Sequence, residues 1–374
     1  MNRLTAHKKA LYELRFSPMC KPAGEVANLT QYESHTTRAR MIMLWRIAEG
    51  YLEWGDNEAR LLYQSTLDSI SQAFDIFHYP ISQYMLDARA DVWEAGLAPR
   101  EVRKAVETIT DSRAETIGNP HSAKTLLIAG ELPQRSDSSA YVSALSQALE
   151  KANLEAAILV CETGATAYAL GAREATLLQG QSLQKIIQES MVQTVIADGP
   201  ETAWALTKIY PALGIPLPPG VHVKLLSEAL LQNYSPSRQM PGRVFVHDSR
   251  PAYLVADNEP SHLAVLPGYL EDEGAFGSGA VYEAPRVLID STKGKRVYGT
   301  WTRGLAKSCG ADDGLWLTYP ELAKGLAQQR LDYAKQLGAE RIVTDSPRCA
   351  YHLKLFRRDS DPIIVWLPEL AAGS

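Results

Sequence analysis

Two cysteines in the C-terminal part of the chain, Cys309 and Cys349, carry the side chains best suited to chemistry. Cys349 follows the sequence Asp345-Ser-Pro-Arg and is predicted to lie in the first turn of a helix, where the helix dipole lowers the pKa of a thiol. Cys20 and Cys161 stand apart, and no two cysteines form the Cys-x-x-Cys pair of a structural zinc site. Cys309 and Cys349 are therefore the candidate thiol pair, although free cysteines also pack as small apolar residues.

Polar residues in the same part of the chain could complete this site. His247, Asp248 and Arg250 follow a predicted strand, and Arg303 precedes Cys309. Histidine and aspartate can act as acid or base, whereas a guanidinium binds anions and repels metal cations. We expect His247 and Asp248 to form a catalytic group with the two cysteines. We expect Arg250 and Arg303 to bind an anionic ligand, and no metal to be bound.

Other candidate motifs carry less information. Asp312 and Asp313 could serve as a base or bind a cation, but such pairs more often lie in solvated loops or cap helices. The sequence contains no Gly-rich phosphate loop, no serine–histidine–aspartate order and no HExxH motif.

Composition and charge exclude several classes of partner. The net charge of -5 and the pI near 6.0 argue against nucleic acid or an anionic membrane. Residues 1–14 are too polar for a signal peptide, and no apolar run reaches the roughly 18–20 residues of a membrane-spanning helix. We therefore expect a cytoplasmic protein with no transmembrane segment and no nucleic-acid partner.

The hydrophobic spacing divides the chain into a helical first part and two α/β parts. Residues 38–51 place apolar side chains at helical intervals, whereas from Thr125 onward short apolar runs alternate with helices. We predict an α+β multi-domain fold with units at 1–110, 122–235 and 243–374, the last two joined by a linker at about 236–242.

The two α/β parts repeat one sequence pattern. Residues 198–206 read Asp-Gly-Pro-Glu-Thr-Ala-Trp-Ala-Leu, and residues 345–353 read Asp-Ser-Pro-Arg-Cys-Ala-Tyr-His-Leu. Each segment follows a β-type run and opens a helix. Gly164 and Gly310 precede the two segments at nearly equal intervals. Two matches in register predict two superposable halves.

These halves resemble the paired CCG domains of heterodisulfide reductase, glycolate oxidase iron–sulfur subunits and lactate-utilisation proteins. In that family each half offers a Cys, a Cys-Cys-Gly and a Cys-x-x-Cys. Residues 308–311 (Ser-Cys-Gly-Ala) and 345–349 are similar to the second half, and residues 162–165 (Glu-Thr-Gly-Ala) to the first. Residues 247–250 (His-Asp-Ser-Arg) are similar to the His-Asp-Pro-Cys that opens the second half. The resemblance implies that Cys309, Cys349 and Arg250 converge on one former cluster site.

The N-terminal part resembles the two-cluster helical ferredoxin domain that precedes those halves. Residues 14–24 and 65–75 keep the spacing of its cluster-binding cysteines. The resemblance therefore implies a helical ferredoxin-like domain at 1–110, two CCG-type halves, and a family activity of electron transfer through [4Fe–4S] clusters.

Few of the implied ligand positions hold a cysteine. A [4Fe–4S] cluster requires four thiolates, but three of these eighteen positions are cysteine and no site has more than two. The four sites are Leu14, Ser17, Cys20 and Gly24; Ser65, Asp68, Ser71 and Asp75; Glu131, Glu162, Thr163, Gly199 and Thr202; and Arg250, Ser308, Cys309, Ser346 and Cys349. We expect no bound cofactor.

The resemblance and its departures favour a cluster-less homologue of these electron-transfer subunits, not redox-active on its own. Its role would be structural or in assembly, with the protein subunits of a redox complex as partners. Two alternatives remain open. One is a repurposed enzyme or anion-binding protein that uses the former active-site cleft, and the other is a residual metal or thiol site at Cys309 and Cys349.

Overall fold

The chain combines a helical N-terminal part with two sheets, so the mixed α/β class predicted from the sequence is confirmed. The computed structural model describes residues 3–17, 20–75, 79–111, 115–117, 123–130, 138–231, 239–256 and 280–372. Glu131 and residues 236–238 of the predicted linker lie outside these ranges.

The N-terminal part is built from short helices packed on one another and on the first sheet. In α4, the Thr36 side chain accepts a hydrogen bond from the Ala39 amide at 3.2 Å and caps the helix, while Met41 and Leu44 face the core one turn apart. The helices are α1 (Lys8–Leu14), α2 (Cys20–Ala23), α3 (Glu25–Thr30), α4 (Thr37–Ala48), α5 (Asp56–Tyr63), α6 (Ser69–Ala73), α7 (Ile81–Glu94) and α8 (Arg100–Thr110).

The first sheet has the order β1-β3-β2-β4-β5, with β1 antiparallel and the other strands parallel. Leu126 and Ile128 face a core shared with the N-terminal helices, and Leu127 faces the core of the second sheet. Strands buried on both faces are nearly continuous apolar runs, as β2 is here. The elements are β1 (Glu115–Ile117), β2 (Thr125–Ala129), α9 (Ser138–Lys151), β3 (Ala157–Val160), α10 (Ala165–Ala169), α11 (Arg173–Ser190), β4 (Thr194–Ala197), α12 (Pro200–Trp204), α13 (Tyr210–Ala212), β5 (His222–Leu225) and α14 (Leu226–Leu231).

The second sheet is parallel throughout, with the order β7-β6-β8-β9. Phe245, Ile342 and Val343 form its core. Its elements are β6 (Arg243–Val246), α15 (Arg250–Val255), α16 (Ala280–Ser291), β7 (Lys295–Arg296), α17 (Leu315–Thr318), α18 (Pro320–Gln336), β8 (Arg341–Thr344), α19 (Pro347–Phe356), β9 (Ile363–Trp366) and α20 (Leu367–Ala372).

The two sheets have the same connectivity. In β2–β5 and in β6–β9, the first strand lies between the second and the third, and the fourth lies beside the third. Asp198 follows β4 and leads into α12, just as Asp345 follows β8 and leads into α19. The two repeated segments therefore occupy equivalent elements. Domain boundaries at 122–235 and 243–374 remain our proposal.

Helices from the two sheets also pack reciprocally. α9, between β2 and β3, packs on α20, which follows β9. In the same way α16, between β6 and β7, packs on α14, which follows β5. This reciprocity is the arrangement expected of two halves related by an approximate two-fold axis. None of the described helices is long and apolar enough to cross a lipid bilayer.

Candidate functional site

Cys309, Cys349 and His247 come together beside the second sheet. One side-chain nitrogen or sulfur atom of each lies within 4.8 Å of the others, and all three residues are fully buried. His247 follows β6, and Cys349 lies in the first turn of α19, after β8, so the carboxyl ends of two neighbouring parallel strands bring them together. The predicted proximity of the two cysteines is confirmed.

Burial opposes ionisation of the Cys349 thiol. Loss of solvent, the nearby Cys309 thiol and the charge of Asp312 raise the pKa of Cys349 well above its ordinary value. The thiol donates to Asp312 Oδ1 at 3.6 Å, and the Cys349 amide donates to Ser346 Oγ at 3.2 Å. The prediction of a lowered pKa at this helix start is wrong, because desolvation outweighs the helix dipole here.

The hydrogen bonding of His247 does not suit a metal ligand. Arg330 Nε donates to His247 Nδ1 at 2.9 Å. A guanidinium has no lone pair to offer, so Nδ1 is the acceptor and the neutral ring carries its proton on Nε2. Burial and the Arg330 charge lower the pKa of His247 well below its ordinary value. A metal-binding histidine usually donates from its second nitrogen, which Arg330 prevents.

Asp248 accepts hydrogen bonds from two arginines and is not one of the residues that cluster around the two thiols. Its two oxygens accept from Arg286 Nη1 and Nη2, each at 2.8 Å, and one of them also accepts from the Arg303 amide at 2.6 Å. Arg303 Nε in turn contacts Glu283 Oε1 at 2.9 Å. Asp248 and Arg303 therefore form a buried structural network, and their predicted catalytic and anion-binding roles remain untested.

Arg250 stands where the resemblance implies a ligand cysteine, and it lies among acidic side chains. Its Nη2 donates to the Thr66 carbonyl at 3.3 Å, joining the second sheet to the N-terminal part. Burial raises the pKa of Asp312 to about 6 and of Asp313 to about 7, while the charge of Arg250 opposes both shifts. Burial likewise raises the pKa of Glu25, and the same guanidinium opposes that shift. Arg250 is thus an internal counter-ion to these carboxyl groups.

Glu25, on α3, and Ser308, next to Cys309, connect the site to the N-terminal helices. Glu25 Oε1 accepts from Thr66 Oγ1 at 2.9 Å, and Oε2 accepts from the Ser308 amide. Ser308 Oγ donates to Asp312 Oδ2 at 2.9 Å and accepts from the Gly310 amide at 2.8 Å. The hydroxyl that replaces a ligand thiol is therefore held by protein groups.

Buried arginine side chains occupy the second of the two ferredoxin-like cluster sites, that of residues 65–75. The fully buried Arg40 donates from Nη1 to both oxygens of Asp68, at 3.2 and 3.1 Å. Arg89, also fully buried, donates from Nη2 to the carbonyl and hydroxyl oxygens of Ser65 at 2.9 and 3.1 Å. Two guanidinium groups beside these residues do not fit a cluster that needs four thiolates.

The corresponding positions in the first half are packed against one another. Thr202 Oγ1 donates to Asp198 Oδ1 at 2.6 Å. A Cβ atom on Gly130 would come within 2.5 Å of Thr163 Cγ2 and 2.6 Å of Thr202 Oγ1, so Gly130, Thr163 and Thr202 are in close contact. The residues that the chain offers at this site do not fit an iron–sulfur cluster.

Comparison with known proteins confirms the CCG resemblance in the second half. Residues 285–354 match the family described as CCG, cysteine-rich domain. This range contains Cys309 and Cys349, so the thiol pair lies within the segment that resembles the CCG domain. No curated protein sequence matches the chain significantly.

The fold as a whole is similar to the crystal structure of a hypothetical protein from Helicobacter pylori. The TM-score is 0.59 at 10% sequence identity, and the match covers 98% of this chain and 75% of the other. At this identity the similarity concerns the fold alone.

Proposed function

We propose that the chain is a cluster-less member of the iron–sulfur-related redox family indicated by its CCG domain, and that it serves as a structural or assembly subunit of a cytoplasmic redox complex. The observation that carries the proposal is the replacement of cluster ligands by bonded side chains, above all the buried Arg40–Asp68 pair. Removing one partner of a buried ion pair costs about 3–5 kcal/mol. The residues at this former ligand position are therefore committed to one another and not to a cluster.

An exposed aromatic patch supports the binding of a protein partner. This patch consists of Tyr12, Phe16 and Tyr51, which are 44%, 64% and 67% exposed, together with the half-buried Trp45. The Arg15 guanidinium lies 3.6 Å from the centre of the Tyr12 ring. Tyrosine, tryptophan and arginine are the residue types that contribute most at protein interfaces. The patch lies on the helical part of the chain.

The two alternatives receive less support from the geometry. Arg303 pairs with Glu283, and the charge of Arg250 is opposed by Glu25, Asp312 and Asp313, so less of either charge is available to an external anion. The thiols of Cys309 and Cys349 are fully buried, and burial raises the pKa of Cys349 well above its ordinary value, which disfavours a reactive thiol site.

The proposal is tested by affinity purification of the tagged chain from its native cells. The double variant Phe16→Ser, Tyr51→Ser is purified in the same way for comparison. We expect the native chain to retain, in stoichiometric amount, a protein that carries iron–sulfur clusters or flavin, and the double variant to lose it. Tyr298→Ser, which removes a half-exposed tyrosine of the second half, is the matched control and should retain the partner. Recovery of the native chain without a redox partner would contradict the proposal.

A further inference from the structure

Arg330 is a buried arginine that, like Arg89 and Arg250, has no ion-pair partner among the residues that the structure describes. Arg40, Arg286 and Arg348 each contact a carboxylate. Arg330 is 2% exposed, and within the described ranges no carboxylate lies at ion-pair distance from it. A buried charge is unfavourable unless an opposite charge or hydrogen bonds compensate for its lost hydration.

The hydrogen bonds of Arg330 leave one nitrogen uncompensated. Nε donates to His247 Nδ1 at 2.9 Å and Nη2 to the Trp301 carbonyl at 2.7 Å, both neutral acceptors. The guanidinium lies 4.6 Å from the centre of the Phe245 ring. Nη1 is buried and has no hydrogen-bond partner among the residues that the structure describes.

Arg330 lines a cavity of about 360 Å³ between α3, α18 and the loop before Cys309. Small-molecule sites commonly have volumes of about 300–1,000 Å³. Lys307 adds a second cation to the wall, with Nζ 4.0 Å from the centre of the Trp301 ring. The amides of Asn28 and Gln336 supply neutral hydrogen-bonding groups.

The two acidic residues of the cavity wall have other partners. Glu25 accepts from Thr66 Oγ1 and from the Ser308 amide. Asp332 pairs with Arg358 at the protein surface. The cations Arg330 and Lys307 are therefore not neutralised by direct ion pairs with the acids that share their cavity.

We propose that this cavity binds a small organic carboxylate, with the carboxylate on Lys307 Nζ and the charge of the buried Arg330 guanidinium behind it. The carboxylate would accept a charge-assisted hydrogen bond from Lys307 and would oppose the unpaired charge of Arg330. One ammonium group within reach of the ligand, beside Glu25, suits a singly charged group better than a phosphate. The ring of Trp301 and the wall amides would contact the rest of the ligand. This site is distinct from Arg250 and Arg303 and does not depend on the subunit role.

Calorimetric titration of the full chain with sodium benzoate, sodium succinate and sodium phosphate, at ionic strength held constant with sodium chloride, tests this site. We expect saturable binding of at least one of the two carboxylates and weaker binding of phosphate. Lys307→Met, which keeps the aliphatic stem, should weaken carboxylate binding at least tenfold. Lys324→Met, on the same helix as Arg330 but outside the cavity wall, should leave binding unchanged.

Arg330→Met removes the charge behind the ligand and should weaken carboxylate binding, and thermal unfolding of each variant shows whether it is folded. If Arg330→Met does not fold, Lys307→Met decides the outcome. The proposal is overturned if neither carboxylate binds saturably, if phosphate binds more tightly than both, or if folded Lys307→Met binds as the native chain does.

Discussion

Glu201 and Arg348 hold the fourth position of the two repeated segments, and their side chains form a buried ion pair at 2.6 Å. Arg348 Nη1 also donates to Thr166 Oγ1 at 2.7 Å. Equivalent residues of two related halves meet where the two-fold axis passes. The pair therefore marks the approximate axis, and its opposite charges show that the halves differ where they touch.

A double-mutant cycle on this pair should give strong coupling. Glu201→Ala and Arg348→Ala should each destabilise the protein by about 3–5 kcal/mol, because each leaves a buried charge unpaired. The double variant should be much less destabilised than the sum of the two. Chemical denaturation measures all four free energies of unfolding, and additive effects would show that the charges do not act as a pair.

The repeat and the proximity of Cys309 to Cys349 could be predicted from the sequence. The burial of Arg330 and Glu25 could not. Two similar segments, each between a predicted strand and a predicted helix, indicate that the two halves have the same connectivity. The neighbouring residues therefore placed Asp198 and Asp345 at equivalent strand ends. Arg330 and Glu25 lie on helices, where charged residues usually face solvent. Their burial depends on packing between distant parts of the chain, for which one sequence holds no signal.

Asp345 should make stability depend on pH. Burial, followed by the charge of Asp248, raises the pKa of Asp345 to about 8 from 3.8. The folded state thus holds a proton that the unfolded state releases, and this contribution to stability is lost as the pH rises from about 4 through 8. Asp345→Asn should raise the melting temperature more at pH 8.5 than at pH 5. An equal change in melting temperature at both pH values would contradict the raised pKa of Asp345.

Gly310 should tolerate no side chain. Its φ is +87°, and a Cβ atom would lie 2.3 Å from the Ala323 carbonyl oxygen. Gly310→Ala should therefore destabilise through both backbone strain and a clash with backbone. Gly214 has φ +74° and open space around the same position, so Gly214→Ala isolates the strain, on the order of 1 kcal/mol. Thermal unfolding should show a larger decrease in melting temperature for Gly310→Ala than for Gly214→Ala. Equal decreases would show that the clash does not contribute.

The buried thiols should be inert in the native protein. Cys309 and Cys349 have no solvent exposure, and burial raises the pKa of Cys349. Alkylation by iodoacetamide at pH 7.5, followed by peptide mass spectrometry, should modify these two cysteines only after denaturation. Rapid labelling of Cys349 in the native state would instead indicate a reactive thiolate.

The absence of clusters is the central claim, and metal analysis tests it most directly. The chain, purified anaerobically and incubated with iron and sulfide beside a known [4Fe–4S] protein as positive control, should remain colourless. After desalting it should contain negligible iron and acid-labile sulfide, because no site offers four thiolates. A brown protein retaining about four irons per chain would contradict the account.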